Sequence, residues 1–268
     1  MHSRRLWMSA AALLLVSMGA RPSVPDQGHP ILHVADLRRL STSEAAQSRP
    51  VQIKGIVTAL SGWKNSFFLE ESGYGISVDR TDNAEVHSGD EVELWGKTGS
   101  GLFAPVIVAN RVEVLDRRAL PLPQKAAYGD LVGGKEDSQW VEIRGVVHSA
   151  KISEAWGRQV LFLHIDTGGG DIDARIHDFP PRDFSSLVDA TVRVRGVCGT
   201  KFNEKRQFVG LRLFVPDLSA VQIEQPPPPA NPFASPETGI EGLFRFGLPQ
   251  SLDHRVKISG TVTYQETG

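Results

Sequence analysis

The sequence predicts an all-β fold of small five-stranded barrels in tandem, and three observations carry that prediction. One strand phrase recurs: VQIKGIVT at 51–58, VEIRGVVH at 141–148 and VKISGTVT at 256–263, with looser copies VELWGKTG at 92–99 and VRVRGVCG at 192–199. Turn formers punctuate the Val/Ile-rich runs, with 26 Gly and 17 Pro among 268 residues. Two long stretches also repeat one order of five strands. The strong copies start at Val51, Val141 and Val256. That spacing is too long for a solenoid and suits domains in series.

The first unit runs in order. A strand at about 51–60 is turned by GWKN, SFFLEES follows, GYG turns into ISVDR, and TDNAEVHSGD is polar and irregular. EVELWGKTG, the turn SGLFA and PVIVANRVEVL complete it. The second unit repeats the plan with WVEIRGVVHSA, QVLFLHID, GDIDARIHD, a gap FPPRDFSSLVDA with room for a short helix, TVRVRGVCGT and RQFVGLRLFVP. Five strands with the gap between the third and fourth are the order of an OB barrel. In such a barrel the mid-strand Gly55, Gly96, Gly145 and Gly196 sit where long strands must bend, and bending is least costly at glycine.

Short helical prefaces and Pro-rich linkers frame the units. ADLRRLSTSEAA reads as a short helix with apolar residues at 34, 37 and 40, placed to plug one barrel end. The expected organisation is a signal peptide or N-terminal anchor at 1–20, an OB-like domain with its preface at 30–119, and a second at 125–218. A Pro-rich linker at 223–239 and the start of a truncated third repeat at 240–268 complete it.

The first 20 residues have a short basic start and an apolar run from Leu6 to about Ala20, the layout of a secretory segment. The run lacks a polar face, so it does not read as a buried helix. The expected location is therefore exported, periplasmic or on the extracytoplasmic face of the membrane. Net charge is −2, so no whole-chain basic footprint marks a nonspecific nucleic-acid binder. Cys198 stands alone, which excludes an internal disulfide.

PVQIKGIVTAL, FFLEESGYGISVD, SGDEVELWGKTGSGLFAPVIVANRVEVL and EDSQWVEIRGVVHSA together resemble the tandem OB-like extracytoplasmic N-terminal region of bacterial sensor and hybrid histidine kinases of the acidobacterial type. The resemblance covers about residues 30–268 and implies a sensory input region in a two-component system. It supplies no catalytic residue and no ligand.

No CxxC, HExxH, GxSxG or Walker pattern occurs, and a non-enzymatic module without a cofactor is expected. DTGGGDID at 166–173 has carboxylates and glycines but not EF-hand spacing, and a hairpin turn explains it. His148, His164 and His177 fall on three successive strands, as scattered histidines or as one face. Cys198 aligns with Thr98, which favours an inert small residue.

OB barrels bind on strands 2–3 and on the loops joining strands 1–2 and 4–5. The candidate ligand residues are therefore Trp63 and Lys64 in the first barrel, with Trp156, Arg158, Lys201, Phe202, Lys205 and Arg206 in the second. From Arg193 to Arg212 there are six basic residues against Glu204, and from Asp166 to Asp189 six acidic against two basic. A barrel polarised in this way suits an anionic polymer that stacks on aromatics, oligonucleotide or anionic glycan, as the alternative to an unknown ligand or partner protein. The same side chains also serve a solvated loop or a closed barrel mouth. Alternation points Trp95 outward, and packing between the two barrels is its expected role.

Overall fold

A computed structural model describes residues 28–62, 65–102, 104–155, 157–203, 205, 207–228, 237–242 and 254–264, without the side chains of 202 and 242. The N-terminal segment 1–20 lies outside the described residues. So do Trp63, Lys64, Trp156, Arg206, the side chain of Phe202 and the linker stretch 229–236.

In the first barrel β1 (Pro50–Leu60), β2 (Ser66–Glu71), β3 (Tyr74–Arg80), β4 (Asp90–Gly99) and β5 (Val106–Arg117) close in the order β1-β2-β3-β5-β4. Only β3 and β5 run parallel. In the second, β7 (Trp140–Ala155), β8 (Arg158–Asp166), β9 (Asp171–Asp178), β11 (Phe208–Asp217) and β10 (Thr191–Phe202) follow the same order, and pairing of β10 with β7 closes the ring. This is the OB order twice, as the strand reading predicts. A two-residue strand, β6 (Gln124–Lys125), lies beside β7, and a 3₁₀ turn at Ser185–Leu187 fills the gap between β9 and β10. Beyond the second barrel, β12 (Val221–Gln225) pairs with β10. Residues 223–225, read as the start of the linker, are therefore strand, held by Glu224 between Arg144 and Arg193.

The repeated glycine has a physical cause. Val51 pairs with Gly96 and Val141 with Gly196, while Gly55 pairs with Val92 and Gly145 with Val192, so the two barrels share one register. A Cβ on Gly55 would lie 2.5 Å from the Glu70 carbonyl oxygen, and one on Gly145 2.3 Å from that of Asp166. The bent first strand crosses its neighbour too closely for any side chain. Just beyond, each strand carries a bulge, between Val57 and Ala59 and between Val147 and Ser149, which sharpens the bend.

The prefaces plug the barrels. Val34 and Leu37 of α1 (Val34–Arg38) enter the first core with Ile53, Leu69 and Leu94. The single expected helix is two, because Ser41 caps a separate turn, α2 (Thr42–Ala45). Ser41 accepts from the Glu44 N–H, and the Glu44 carboxylate accepts from the Ser41 N–H, which satisfies two orphan donors. In the second unit Leu131 of α3 (Tyr128–Val132) plays the part of Leu37, packed among Val141, Leu163 and Leu213.

The two barrels share a seam of their own. Ala59, Phe68, Trp140, Val197 and Phe214 form a separate buried cluster with Leu120 of the connector against it. The Phe68 and Phe214 ring centroids are 4.9 Å apart, and the Trp140 indole donates to the Pro121 carbonyl at 3.0 Å. Polar clamps flank this cluster. The Arg38 guanidinium donates to the carbonyls of Gly75 (2.7 Å), Asp137 (2.9 Å) and Lys135 (2.7 Å), and the Gly75 N–H donates to Gln139 Oε1. Gly75 admits no other residue, since its Cβ would lie 2.0 Å from the Ser138 carbonyl oxygen.

Trp95 is not part of this seam. Its ring lies under the Arg111 guanidinium, 4.5 Å from centroid to Cζ, on the outer face of the β4–β5 pair. Phe68 and Trp140 take the role expected of it, because they lie on the strand faces that meet. The segment read as the start of a third repeat touches the second barrel through Asp189, whose carboxylate accepts from the Arg255 N–H (3.1 Å) and contacts the His254 ring (2.9 Å). Lys257 of that segment forms a parallel backbone bridge with Glu237 at the end of the expected linker.

Two measurements check this account. Gly145→Ala should lower unfolding stability by roughly 1–3 kcal/mol, since the added methyl has only backbone to displace; urea denaturation unchanged from the parent would contradict the close approach. Phe214→Ala should cost about 3–5 kcal/mol at the seam and split one unfolding transition into two, read by calorimetry.

Candidate functional site

Part of the basic charge predicted for the second barrel is paired with carboxylates. β9, at the centre of the acidic stretch, runs parallel beside β11 from the basic one, which sets Arg212 opposite Asp173. Lys201 Nζ donates to the Asp173 carboxylate, and the His164 ring lies 3.0 Å from it. Burial alone would raise the Asp173 pKa, but the bonds from Lys201 and His164 outweigh it and hold the carboxyl below its usual range. Arg195 pairs with Glu142 at 2.9 Å, and Arg193 pairs with Glu142 and Glu224.

The expected loop cluster is therefore dispersed. Lys205 is exposed at a hairpin tip that Asn203 closes, its side-chain oxygen accepting from the Lys205 and Gln207 N–H groups. Arg158 begins β8 after the turn at Gly157 and acts electrostatically on His177. His177 lies four residues along β9 from Asp173, the partner of Lys201. At 3.3 Å per residue Lys201 and Arg158 thus serve points about 13 Å apart. The histidines do not converge either. The rings of His148 and His164 are neighbours at 6.4 Å, while His177 sits against Gly62 of the first barrel. Burial, then Arg175 and Arg158, lower the His177 pKa.

The larger opening lies elsewhere. A groove of about 760 Å³ runs along the line where the barrels meet. One wall is the β2–β3 face of the first barrel, with Ser66, Phe68, Ser77 and Asp79, bounded by Ser61 and by the 101–106 loop. The other wall belongs to the second barrel, with Asp137, Ser138, Thr200, Arg212 and Phe214. The ligand face of one OB barrel is thus roofed by its neighbour. Trp63 and Lys64 belong to the loop between Ser61 and Ser66, both groove residues, but lie outside the described residues.

The groove holds polar groups that the fold leaves unused. Thr200 Oγ1 and Arg212 Nε are buried without a hydrogen-bond partner among the described residues. Burial, helped by the like charge of Arg175, lowers the Arg212 pKa to about 10. Asp79 stands at the rim, where the walls desolvate its carboxyl and raise its pKa. Asp137 is engaged, its Oδ1 accepting from the Thr200 N–H (2.9 Å) and its Oδ2 from the Ser138 hydroxyl (3.2 Å). A partly desolvated arginine and a carboxylate with a raised pKa on opposite sides of one cavity suit a binding site. Alternation in ISVDR already turns Ser77 and Asp79 outward, so half of this wall could be read from the sequence. Arg212, Thr200 and Asp137 carried no such signal, because only the meeting of the barrels brings them there.

No family model matches the chain, and no curated protein matches it. Among solved structures the chain is similar to the tetrameric p202 HIN2, with 12% identity over 66% of this chain and 93% of that one, at a TM-score of 0.30. It is similar to a murine DNA binding protein bound with double-stranded DNA, with 11% identity over 67% and 99%, also at 0.30. A replication protein A heterotrimer bound to single-stranded DNA matches at 14% identity over 72% and 51%, again at 0.30. The OB assignment rests on the strand order of the two barrels themselves.

Cys198 is buried in the second core, and burial, with the charges of Asp137 and Glu136, pushes its thiol up to about 12. A pKa raised that far leaves the thiol neutral at pH 8. Alkylation of the native protein at pH 8 should therefore proceed only as fast as the barrel opens. Labelling at the rate of free cysteine would overturn the assignment.

Proposed function

We propose that this chain is a non-enzymatic binding module that holds its ligand in the groove between the two barrels, and that it works outside the cytoplasm as the input region of a signalling protein. One observation carries the binding reading. The β2–β3 face of the first barrel, where OB barrels take ligands, stays open as a groove of about 760 Å³, and the wall opposite carries Arg212, whose buried Nε has no hydrogen-bond partner among the described residues. A rigid seam beside the groove suits an input region, because a ligand touching both walls acts on the relation between the barrels. The extracytoplasmic placement rests on the basic start and apolar run of the first 20 residues and on the kinase-region resemblance.

An anionic polymer on the second barrel is the other reading. The exposed Lys205 and Arg158 favour it. The pairing of Lys201 with Asp173 and the carboxylates of Asp79 and Asp137 along the groove weigh against it.

The groove reading is tested by filling the groove. A thermal-shift screen of metabolites, oligosaccharides and oligonucleotides should give hits with the parent chain, and Ser77→Trp should abolish them while leaving the unliganded melting temperature unchanged. Hits that persist in Ser77→Trp place the site elsewhere. A reporter active only after export, fused at the end of the N-terminal segment, should be active; silence would remove the extracytoplasmic role.

A further inference from the structure

The groove is unevenly charged in a way that selects a ligand. Among its described lining residues Arg212 is the one cation, against the carboxylates of Asp79 and Asp137. A phosphate or sulfate chain would meet two like charges for each favourable one, so the groove repels polyanions. A single anionic group seated on Arg212 is a different case.

The guanidinium is held ready for such a group. The nearest carboxylates acting on it, Asp173 and Asp137, are already committed to Lys201 and His164, and to Thr200 and Ser138. Gly199 pairs with Arg212 across the strand, and a Cβ there would lie 2.6 Å from the Phe214 ring and 3.2 Å from Arg212 Cγ. A side chain at 199 would press on the Phe214 ring and crowd the arginine stem. Across the groove the exposed Asp79 carboxylate makes no hydrogen bond or ion pair among the described residues and is open to donors from a ligand. A planar guanidinium on one wall and a carboxylate on the other complement a dipolar molecule. The volume, within the usual 300–1,000 Å³ of small-molecule sites, fits one small ligand.

Resting on the groove reading above, we infer that the groove takes a small monocarboxylate with hydrogen-bond donors at its other end, its carboxylate on Arg212 and its donors on Asp79. An amino acid or short peptide supplies this chemistry through an ammonium group, and a sugar acid supplies it through hydroxyls.

Titration calorimetry on the whole chain tests the inference. The probes are the common amino acids, dialanine, glucuronate and galacturonate, with the matching amides and glucose as uncharged controls, and an oligothymidylate and inorganic phosphate as polyanion and dianion. At least one carboxylate should bind, its uncharged counterpart at least tenfold more weakly. Whether the amino-acid or the sugar-acid arm binds identifies the source. Arg212→Met should weaken binding at least tenfold, Arg212→Lys less, and Asp79→Asn should weaken it too, with circular dichroism unchanged. If no carboxylate binds at millimolar concentration, or oligothymidylate or phosphate binds more tightly, the inference fails. A ligand lost in Ser77→Trp but indifferent to Arg212→Met and Arg212→Lys would sink the ligand class and leave the groove reading standing. A ligand indifferent to all three would sink both.

Discussion

The contact between Phe68 and Phe214 is the interaction on which the rest of the molecule depends. Each ring lies on the outside of its own barrel, where a lone barrel would leave it in water. Each is buried because the other barrel covers it. Fully burying such a side chain contributes roughly 1.5–3 kcal/mol, and a well-placed aromatic pair about 0.5–1.5 kcal/mol more. Surface ion pairs cannot match that. The seam therefore sets the angle between the barrels, while Arg38 and Gln139, which bond to main-chain groups at Gly75, Asp137 and Lys135, fix the remaining freedom. The groove exists only in that arrangement, since neither barrel has both walls.

Electrostatics follow from topology rather than from position along the chain. An acidic stretch and a basic stretch suggest a polarised barrel when counted in sequence. The OB order makes the third and fifth strands parallel neighbours, so Asp173 lies beside Arg212 and within reach of Lys201. Opposite charges that are distant in sequence become cross-strand neighbours, and the field that would steer a polyanion is weakened. On β7, β10 and β12 of the same barrel, Glu142 and Glu224 offset two of the three charges of Arg144, Arg193 and Arg195.

By itself the sequence determined the two barrels, their strand order and their common register, because alternation, turn residues and a glycine at each tight crossing are local necessities. A bent strand has no room for a Cβ at Gly55 or Gly145, whatever surrounds the barrel. It also held the seam in a form that is easy to pass over. Phe67-Phe68-Leu69 and Leu213-Phe214-Val215 are runs of three apolar residues in strands that should alternate, and the middle residue of each faces out. Such a run shows that an outer face is covered but not by what, which is why Trp95, equally outward, looked as good a choice. Only the tertiary structure decided which outer faces meet. That decision placed Arg212, Thr200 and Asp137 opposite Ser77 and Asp79, and left Lys201 paired and Arg158 apart. The reason is that a site shared by two domains is fixed by the packing of surfaces, and residues from β3 and β11 become neighbours only once the aromatic seam has closed.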